Sequence, residues 1–424
     1  MLKLLYIVLD GAADELEESS SLDNAYTPNL DEIAKRSMGG MHYPVGKGIA
    51  PESDAAVLNL LGYDCEKYYT GRGPIEALGV GMSLKEDFEI AFRGNLATAD
   101  FEKGIIVDRR VGRDITTREA KQLLKGLEFI DLGIYDGYAK MKVGLDYRVA
   151  VIIGSRKHKL SHDVSNTDPA YIKSGSVSVA KAHVDNKIRV CEPLSESEEA
   201  KITAELVNKF IEIINKRLAE HPINKRRERT GRLPANTILL RDAGMRPPDV
   251  PSMKKMYGVK FKMIADMPTE LGVARLLGIG IVKCPKPKYI GEIDYPIRAK
   301  KALETLQNTI AVYIHLKGPD IYGHDKNKEG KIKSIEEIDK YFISKILDEV
   351  DLDKTAILIT MDHATPPSRG VHTGDPVPFT VYVPGRNGDG LLKFSEREVY
   401  SKGSLGILGY GWMIMPIIKK LIWN

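Results

Sequence analysis

Four short apolar runs constrain the fold of this chain more than any other feature: LLYIVLD (4–10), AVYIHLKGPD (311–320), TAILITMDH (355–363) and FTVYVPG (379–385). Runs of this length, apolar on both faces, predict buried strands of a parallel sheet. Helical patterns lie between or after them. TPNLDEIAKRS offers Thr27 as N-cap and Pro28 at the first helical position. SIEEIDKYFISKILDEV places Ile335, Ile338, Phe342 and Ile346 on one stripe. Strands alternating with helices predict an α/β sheet with helices on both faces, and in such sheets ligands gather beyond the carboxyl ends of the strands. Three of the four runs end in Asp or His, which puts Asp10, Asp320, Asp362 and His363 there.

The middle of the chain reads differently. From about residue 72 to about 255 it is rich in turns. It also carries a long helical pattern opened by a capping box, Ser195 to Glu198, with Ile202, Leu206, Phe210 and Ile213 on the buried face. The basic loop INKRRERTGRLPAN follows, and MRPPDVPSMKK reads as a connection. The expected organisation is a discontinuous α/β domain over 1–71 and 256–424, with a smaller α/β domain, 72–255, inserted into it. A chain of 424 residues, 43% hydrophobic, can bury two such cores.

Several function classes are disfavoured by composition. The formal charge of +4 gives no general reason to invoke nucleic acid, and NKRRERTGR lacks the interleaved aromatics of a stacking platform. Cys65, Cys191 and Cys284 form no CxxC pair, so a reducing, cytoplasmic setting is expected. MLKLLYIVLD is too short and lacks the cleavage site of a signal peptide. GILGYGWMIMPIIKK falls short of the ~20 apolar residues that span a bilayer. No membrane association is expected, and self-association is left open.

The chemistry is expected at the strand ends. Asp320 and His324 stand four apart in KGPDIYGHD, so both side chains face one point if the segment turns helically. Adding Asp10, Asp362, His363 and His372 makes three carboxylates and three imidazoles without a thiolate, a donor set suited to Mn²⁺, Zn²⁺ or Mg²⁺. Six ligands exceed what one catalytic ion can use while keeping an open position, and two ions about 4 Å apart account for the number. Ser53, in GIAPESDAAVLNLLGYD, precedes a helical apolar pattern. It reads either as an N-cap or as a nucleophile beside a helix N-terminus, where a phosphate is welcome.

These residues resemble the archaeal-type, cofactor-independent phosphoglycerate mutases of the alkaline phosphatase superfamily. The resemblance is carried in order by VLDGAAD, TPNLDEIAKRS, PESDAAVLNLLGYD, GRGPIEALGVG, DRRVGRD, PANTILLRDAG, KGPDIYGHD, MDHATPPSRGVHTGDPVPF and GSLGILGYGWMIMPIIKKL, over nearly the whole chain. It implies an alkaline-phosphatase-like sheet binding two Mn²⁺-type ions, with Zn²⁺, Mg²⁺ or Co²⁺ as alternatives, and an inserted domain closing over the site. One ion would be held by Asp320, His324 and His372, the other by Asp10, Asp362, His363 and Ser53. Ser53 would carry the phosphoryl group between the hydroxyls of phosphoglycerate.

A substrate with a carboxylate and a phosphate calls for guanidinium forks. Arg113, Arg148 and Arg241 are the expected anchors, chosen from a set that also holds Arg109, Arg110, Arg226 and Arg227. Lys317 reads either as a further phosphate contact or as a surface residue, and Asp108 or Asp114 would shuttle the proton. The competing readings are a metal-dependent phosphatase or phosphodiesterase, a homoserine-kinase-like phosphotransferase, and a non-catalytic RNA-binding protein.

Overall fold

The structure, a computed structural model, describes all residues except Glu17, Glu18, Gly175, Ser176, Ala182, Pro248 and Asn424. Pro248, in the predicted connection, therefore lies outside the described residues. The chain divides into two compact units. The first comprises Met1–Tyr69, Val250–Asp266 and Val273–Asn424; the second comprises Thr70–Asp249 and Met267–Gly272. Against the expected 72–255, the second unit starts earlier, ends earlier and takes in a short later segment. No helix among the described residues is long and apolar enough to cross a membrane.

The first unit is an α/β structure built on an eight-stranded mixed sheet. Its order is Gly280–Ile281, Phe261–Ile264, Ala311–Leu316, Lys3–Leu9, Thr355–Thr360, Val377–Tyr382, Met38–His42, Ile407–Leu408. Lys3–Leu9 is central and pairs parallel with both neighbours, Leu9 opposite Leu316 and Val8 opposite Thr360. That register aligns the carboxyl ends of three strands drawn from opposite ends of the chain. Alternate residues of the central strand serve opposite faces. Leu5, Ile7 and Leu9 join Ile335, Ile338, Phe342 and Ile346 in one buried core, the stripe expected from the sequence. On the other face Tyr6 donates its hydroxyl to Leu60 O (2.8 Å) at the end of the helix Ser53–Leu60.

The fourth apolar run departs from expectation. Val377–Tyr382 runs antiparallel to Thr355–Thr360. A parallel return needs a crossover, usually a helix; residues 361–376 contain none, and the chain simply reverses through a loop carrying Pro366 and Pro367. Apolarity on both faces marks burial and says nothing about direction.

The second unit is α/β as well, with an antiparallel sheet ordered Thr237–Gly244, Glu89–Asp100, Arg148–Ser155, Gly137–Val143, Phe129–Asp131. The long helix Glu198–Ala219 packs Ile202, Leu206, Phe210 and Ile214 into its core. Ile214 takes the deep position expected for Ile213, which is half-buried, because Phe210, Ile214 and Leu218 continue the i, i+4 row. The N-cap is Ser197, whose hydroxyl accepts from Ala200 N. Ser195 instead lies outside the helix, 3.0 Å from the Ser197 hydroxyl. The expected basic loop begins as a helix, Pro222–Arg229.

Candidate functional site

Backbone contacts beyond the strand ends gather the donors of the first unit. Asp10 N extends the ladder to Leu316 O (3.0 Å), Asp320 N donates to Asp10 O (3.1 Å), and Thr365 N donates to Ala13 O (3.0 Å). Gly11 N donates to Asp362 Oδ1 (3.1 Å). Gly11 has φ +57°, and a Cβ there would lie 2.8 Å from Asp320 Oδ1 and 2.7 Å from the Thr365 hydroxyl. Only glycine lets the backbone pass this close.

Two triangles of donor atoms result. In the first, Asp320 Oδ1 lies 3.4 Å from His324 Nε2 and 3.5 Å from His372 Nε2, and the two imidazole nitrogens are 3.2 Å apart. The short helix Pro319–His324 supplies the turn that aligns Asp320 with His324, as the spacing required. In the second, His363 Nε2 lies 3.4 Å from Asp10 Oδ1 and 3.2 Å from Asp362 Oδ2. His363 also falls within ligating range of Asp320 and His372, so the triangles adjoin.

Hydrogen bonding assigns the imidazole tautomers. His324 Nδ1 meets Gly370 O (3.0 Å) and His372 Nδ1 meets Pro51 O (2.7 Å); a carbonyl only accepts, so both nitrogens carry the proton. The Thr365 hydroxyl donates to Asp320 Oδ1 (2.8 Å) and therefore accepts from His363 Nδ1 (2.9 Å). Each Nε2 is thereby left as the ring nitrogen that faces the cluster, 3.2–3.5 Å from a carboxylate oxygen, the side from which a metal ion would be bound. Asp10 Oδ1 and Asp362 Oδ2 are buried and accept no hydrogen bond. Lone pairs facing one another beside unsatisfied buried carboxylates are costly unless a cation stands between them. The donor set therefore fits divalent cations.

Electrostatics agree. Burial works against the charge of Asp10, yet Lys317 at 2.5 Å, with His315 and His363, holds its carboxyl well below the usual range. Asp320 is lowered too: burial and the nearby Asp10 oppose its ionisation, and His372 and His363 outweigh them. His363 is raised well above the ordinary value, burial being overcome by Asp362, Asp10 and Asp320. Whatever sits among these carboxylates is driven to carry positive charge.

Ser53 is the first residue of the helix Ser53–Leu60, and Glu52 is its N-cap. Its hydroxyl is therefore not used for capping and lies 3.5 Å from His363 Nε2. Glycine-permitted contacts deliver it: Gly48 N donates to Gly374 O (3.3 Å), and a Cβ on Gly374 would lie 2.4 Å from the Gly48 backbone.

In the second unit the expected arginines separate. Arg241 pairs with Asp168 (2.8 Å), as does Arg109 through two contacts of 2.6 Å, and both guanidinium groups face the Tyr171 ring. Nearby in chemistry, Glu76 pairs with Arg72 (3.2 Å) and Arg93 (3.0 Å). Burial works against its charge, and Arg93, Arg72, Arg148 and Arg241 together keep it ionised. Arg148, half-buried, stacks over Tyr147 at 5.1 Å. Arg113 is exposed beside a cavity of about 330 Å³ lined by Asp108, Arg109 and Arg110. Asp108 Oδ1 accepts from Arg110 N (2.7 Å) and Gly112 N (3.0 Å), holding a turn. Asp114 is bound by Arg227 and Arg232 and is lowered, burial being outweighed by those two cations. A carboxylate held ionised in this way is poorly suited to shuttling protons near neutrality. Arg227 is fully buried against Glu119 and Asp114, and Arg226, 3.8 Å from Glu119, stays largely exposed.

Sequence reasoning missed Thr365, His315, Asp168 and Tyr171. His315 lies one residue inside the strand end, 3.6 Å from Asp362 Oδ2. Its place in the run ending at Asp320 was the available signal. Nothing in the local sequence marks Asp168.

A family model described as 2,3-bisphosphoglycerate-independent phosphoglycerate mutase matches residues 34–224. A curated protein of that name from Aeropyrum pernix is 40% identical over 99% of this chain and 100% of its own. The relative named 2,3-bisphosphoglycerate-independent phosphoglycerate mutase 1 from Archaeoglobus fulgidus is 37% identical over 96% and 95%. Among solved structures, the cofactor-independent phosphoglycerate mutase from Thermoplasma acidophilum is similar with a TM-score of 0.64 at 29% identity, covering 99% of this chain and 100% of that one. The PH0037 protein of Pyrococcus horikoshii is similar at 0.78 and 29%, covering 99% and 97%.

Proposed function

The chain belongs to the 2,3-bisphosphoglycerate-independent phosphoglycerate mutases and is an isomerase of that class, and from that premise we propose that it interconverts 2- and 3-phosphoglycerate through a phosphoserine on Ser53 beside two divalent ions. The observation that carries the reading is the pair of adjoining donor triangles with the Ser53 hydroxyl 3.5 Å from His363 Nε2, the imidazole within ligating range of both. Asp320, His324 and His372 would hold one ion; Asp10, Asp362, His363 and Ser53 Oγ would hold the other. Mn²⁺ suits this mixed oxygen and nitrogen set, with Zn²⁺, Mg²⁺ or Co²⁺ as substitutes. When bound, the ions acidify the serine hydroxyl and neutralise charge on the phosphoryl oxygens.

The steps that fall to the chain's own residues follow. Ser53 Oγ forms a bond to phosphorus as the ester bond to one glycerate oxygen breaks, and the proton that Oγ loses passes to the departing oxygen, which leaves as the hydroxyl. The second hydroxyl then attacks phosphorus as the Oγ–P bond breaks, and its proton passes to Ser53 Oγ, which restores the serine. Lys317, already at the Asp10 carboxylate, is placed to meet a phosphoryl oxygen. Arg241, Arg109 and Arg148 are assigned to the substrate's anionic groups, with Arg113 as a further contact. The substrate is a small soluble phosphate ester, and we place the reaction in the cytoplasm.

Phosphate release to water is the second reading, favoured by His324 being 43% exposed. The test is interconversion without added 2,3-bisphosphoglycerate, with free phosphate followed in parallel. Mutase turnover faster than phosphate release, abolished in Ser53→Ala with Mn²⁺ stoichiometry retained, is the expected result. Phosphate release as fast as isomerisation, or full activity in Ser53→Ala, overturns the reading.

A further inference from the structure

Behind the donor cluster lies a second polar group that the mechanism does not use. Lys331 is fully buried on the helix Lys328–Ile338. Its ammonium has three protons and meets three oxygens: Ala13 O (2.8 Å), Asp14 Oδ1 (2.6 Å) and Thr365 O (2.9 Å). Ala13 belongs to the loop that follows Asp10. Thr365 belongs to the loop that follows His363, and its hydroxyl orients both His363 and Asp320.

The network continues away from the cluster. Asp14 Oδ2 accepts from Ser21 N (2.6 Å), Asp14 N donates to Glu396 Oε1 (2.8 Å), and the Ser20 hydroxyl donates to Glu396 Oε2 (2.6 Å). An apolar side chain of similar length would fill the space of Lys331 without the cost of desolvating a charge. It could not draw two carbonyls from separate loops onto one point.

We infer that Lys331 is a positioning residue, which fixes the loop bearing Asp10 and the loop bearing Asp362 and His363 against each other and so sets the affinity of the centre for divalent ions. The inference rests on the two-ion reading above. It identifies a determinant of that centre some 318 residues from Ala13 in sequence.

The test uses the full chain, with Mn²⁺ alone as the probe. Binding to wild type, Lys331→Met, Lys331→Arg and Asp14→Asn is measured by competition with a chelating dye, and folding by thermal unfolding in excess chelator. Ile346→Ala, a core change remote in role from the donors, is the stability control. Lys331→Met is expected to weaken Mn²⁺ binding by about 10- to 100-fold, the effect typical of residues that orient ligands. Saturating Mn²⁺ should restore much of its turnover, Lys331→Arg should recover part of the affinity, and Ile346→Ala should bind Mn²⁺ as wild type does. Asp14→Asn, which keeps both carbonyl contacts, should bind more weakly than wild type and more tightly than Lys331→Met. It carries the test if the latter fails to fold. Wild-type Mn²⁺ affinity in Lys331→Met, or in Asp14→Asn where only that variant folds, overturns the inference. So does an affinity loss matched by Ile346→Ala. Failure of the wild-type chain to take up two Mn²⁺ ions sinks the two-ion reading instead, a result read before any variant.

Discussion

Asp10, Asp362 and His363 have side chains no more than 2% exposed, whereas Asp320, His324 and His372 are 20%, 43% and 18% exposed. The buried half follows directly on two parallel strand ends: Asp10 is tied by backbone bonds to Leu316 and Asp320, and Asp362 and His363 by side-chain bonds to Gly11 N and Thr365. The exposed half stands on a six-residue helix and a loop, and its imidazoles are oriented by single carbonyls, those of Gly370 and Pro51. The difference teaches how one centre divides its work. The buried donors are held by the fold itself, and one oxygen each of Asp10 and Asp362 is left without a hydrogen-bond partner, which favours a cation beside them. The more exposed donors face solvent, which leaves that side of the cluster accessible.

The comparison breaks if variants in the two halves behave alike. The largest effect is expected in the buried half. Asp362→Asn removes a buried charge and disturbs the acceptor of Gly11 N. Its kcat/KM should fall about a thousand-fold or more, a loss of ~4 kcal/mol of transition-state stabilisation, and excess Mn²⁺ should not restore it. Steady-state assays across a Mn²⁺ titration check this. In the exposed half, His324→Ala should instead weaken Mn²⁺ binding by about 10- to 100-fold while excess metal returns most of the turnover. Equal, unrescued losses in both variants would show that burial does not divide the centre.

The smallest effect sharpens the comparison through the network behind the buried half. Burial pushes the Glu396 carboxyl up to about 7, with the nearby Asp14 adding to the rise and bonds from Ser20 and the backbone opposing it. Lys331 faces the same network through Asp14. The folded state therefore binds this proton more tightly than the unfolded state, whose carboxyl titrates near ~4.3. The stability it contributes is full below that value and is lost as pH rises through about 7. Melting temperature in excess chelator should accordingly fall with rising pH over that window, by an amount worth at most about 4 kcal/mol. Glu396→Gln should flatten this slope, and an unchanged slope in the variant would remove Glu396 from the account.

The legibility of the site followed the same division. Asp10, Asp362 and His363 were readable because a short apolar run ending in a polar residue predicts a strand end, and parallel sheets collect ligands at strand ends. His324 was readable only through its spacing from Asp320, which the short helix bears out. The capping box at Ser195 matched in pattern, but Ser197 is two residues closer to the first free backbone N–H groups and takes the role. Thr365 and Lys331 carried no local signal. A threonine in a proline-containing loop and a lysine in an amphipathic helix look like surface residues until the chain is folded.

The sequence by itself determined the periodicities: which segments are strands, which face of each helix is apolar, and which polar residues terminate the strands. Those properties depend on residues a few positions apart. Tertiary structure alone decided the antiparallel entry of Val377–Tyr382, the pairing of Arg241 and Arg109 on Asp168, and the meeting of Lys331 with both donor-bearing loops. Lys331 meets Ala13 across 318 residues, Arg241 and Arg109 reach Asp168 across 73 and 59, and Val377–Tyr382 pairs with Met38–His42 as well as with Thr355–Thr360; no local pattern encodes contacts over such separations.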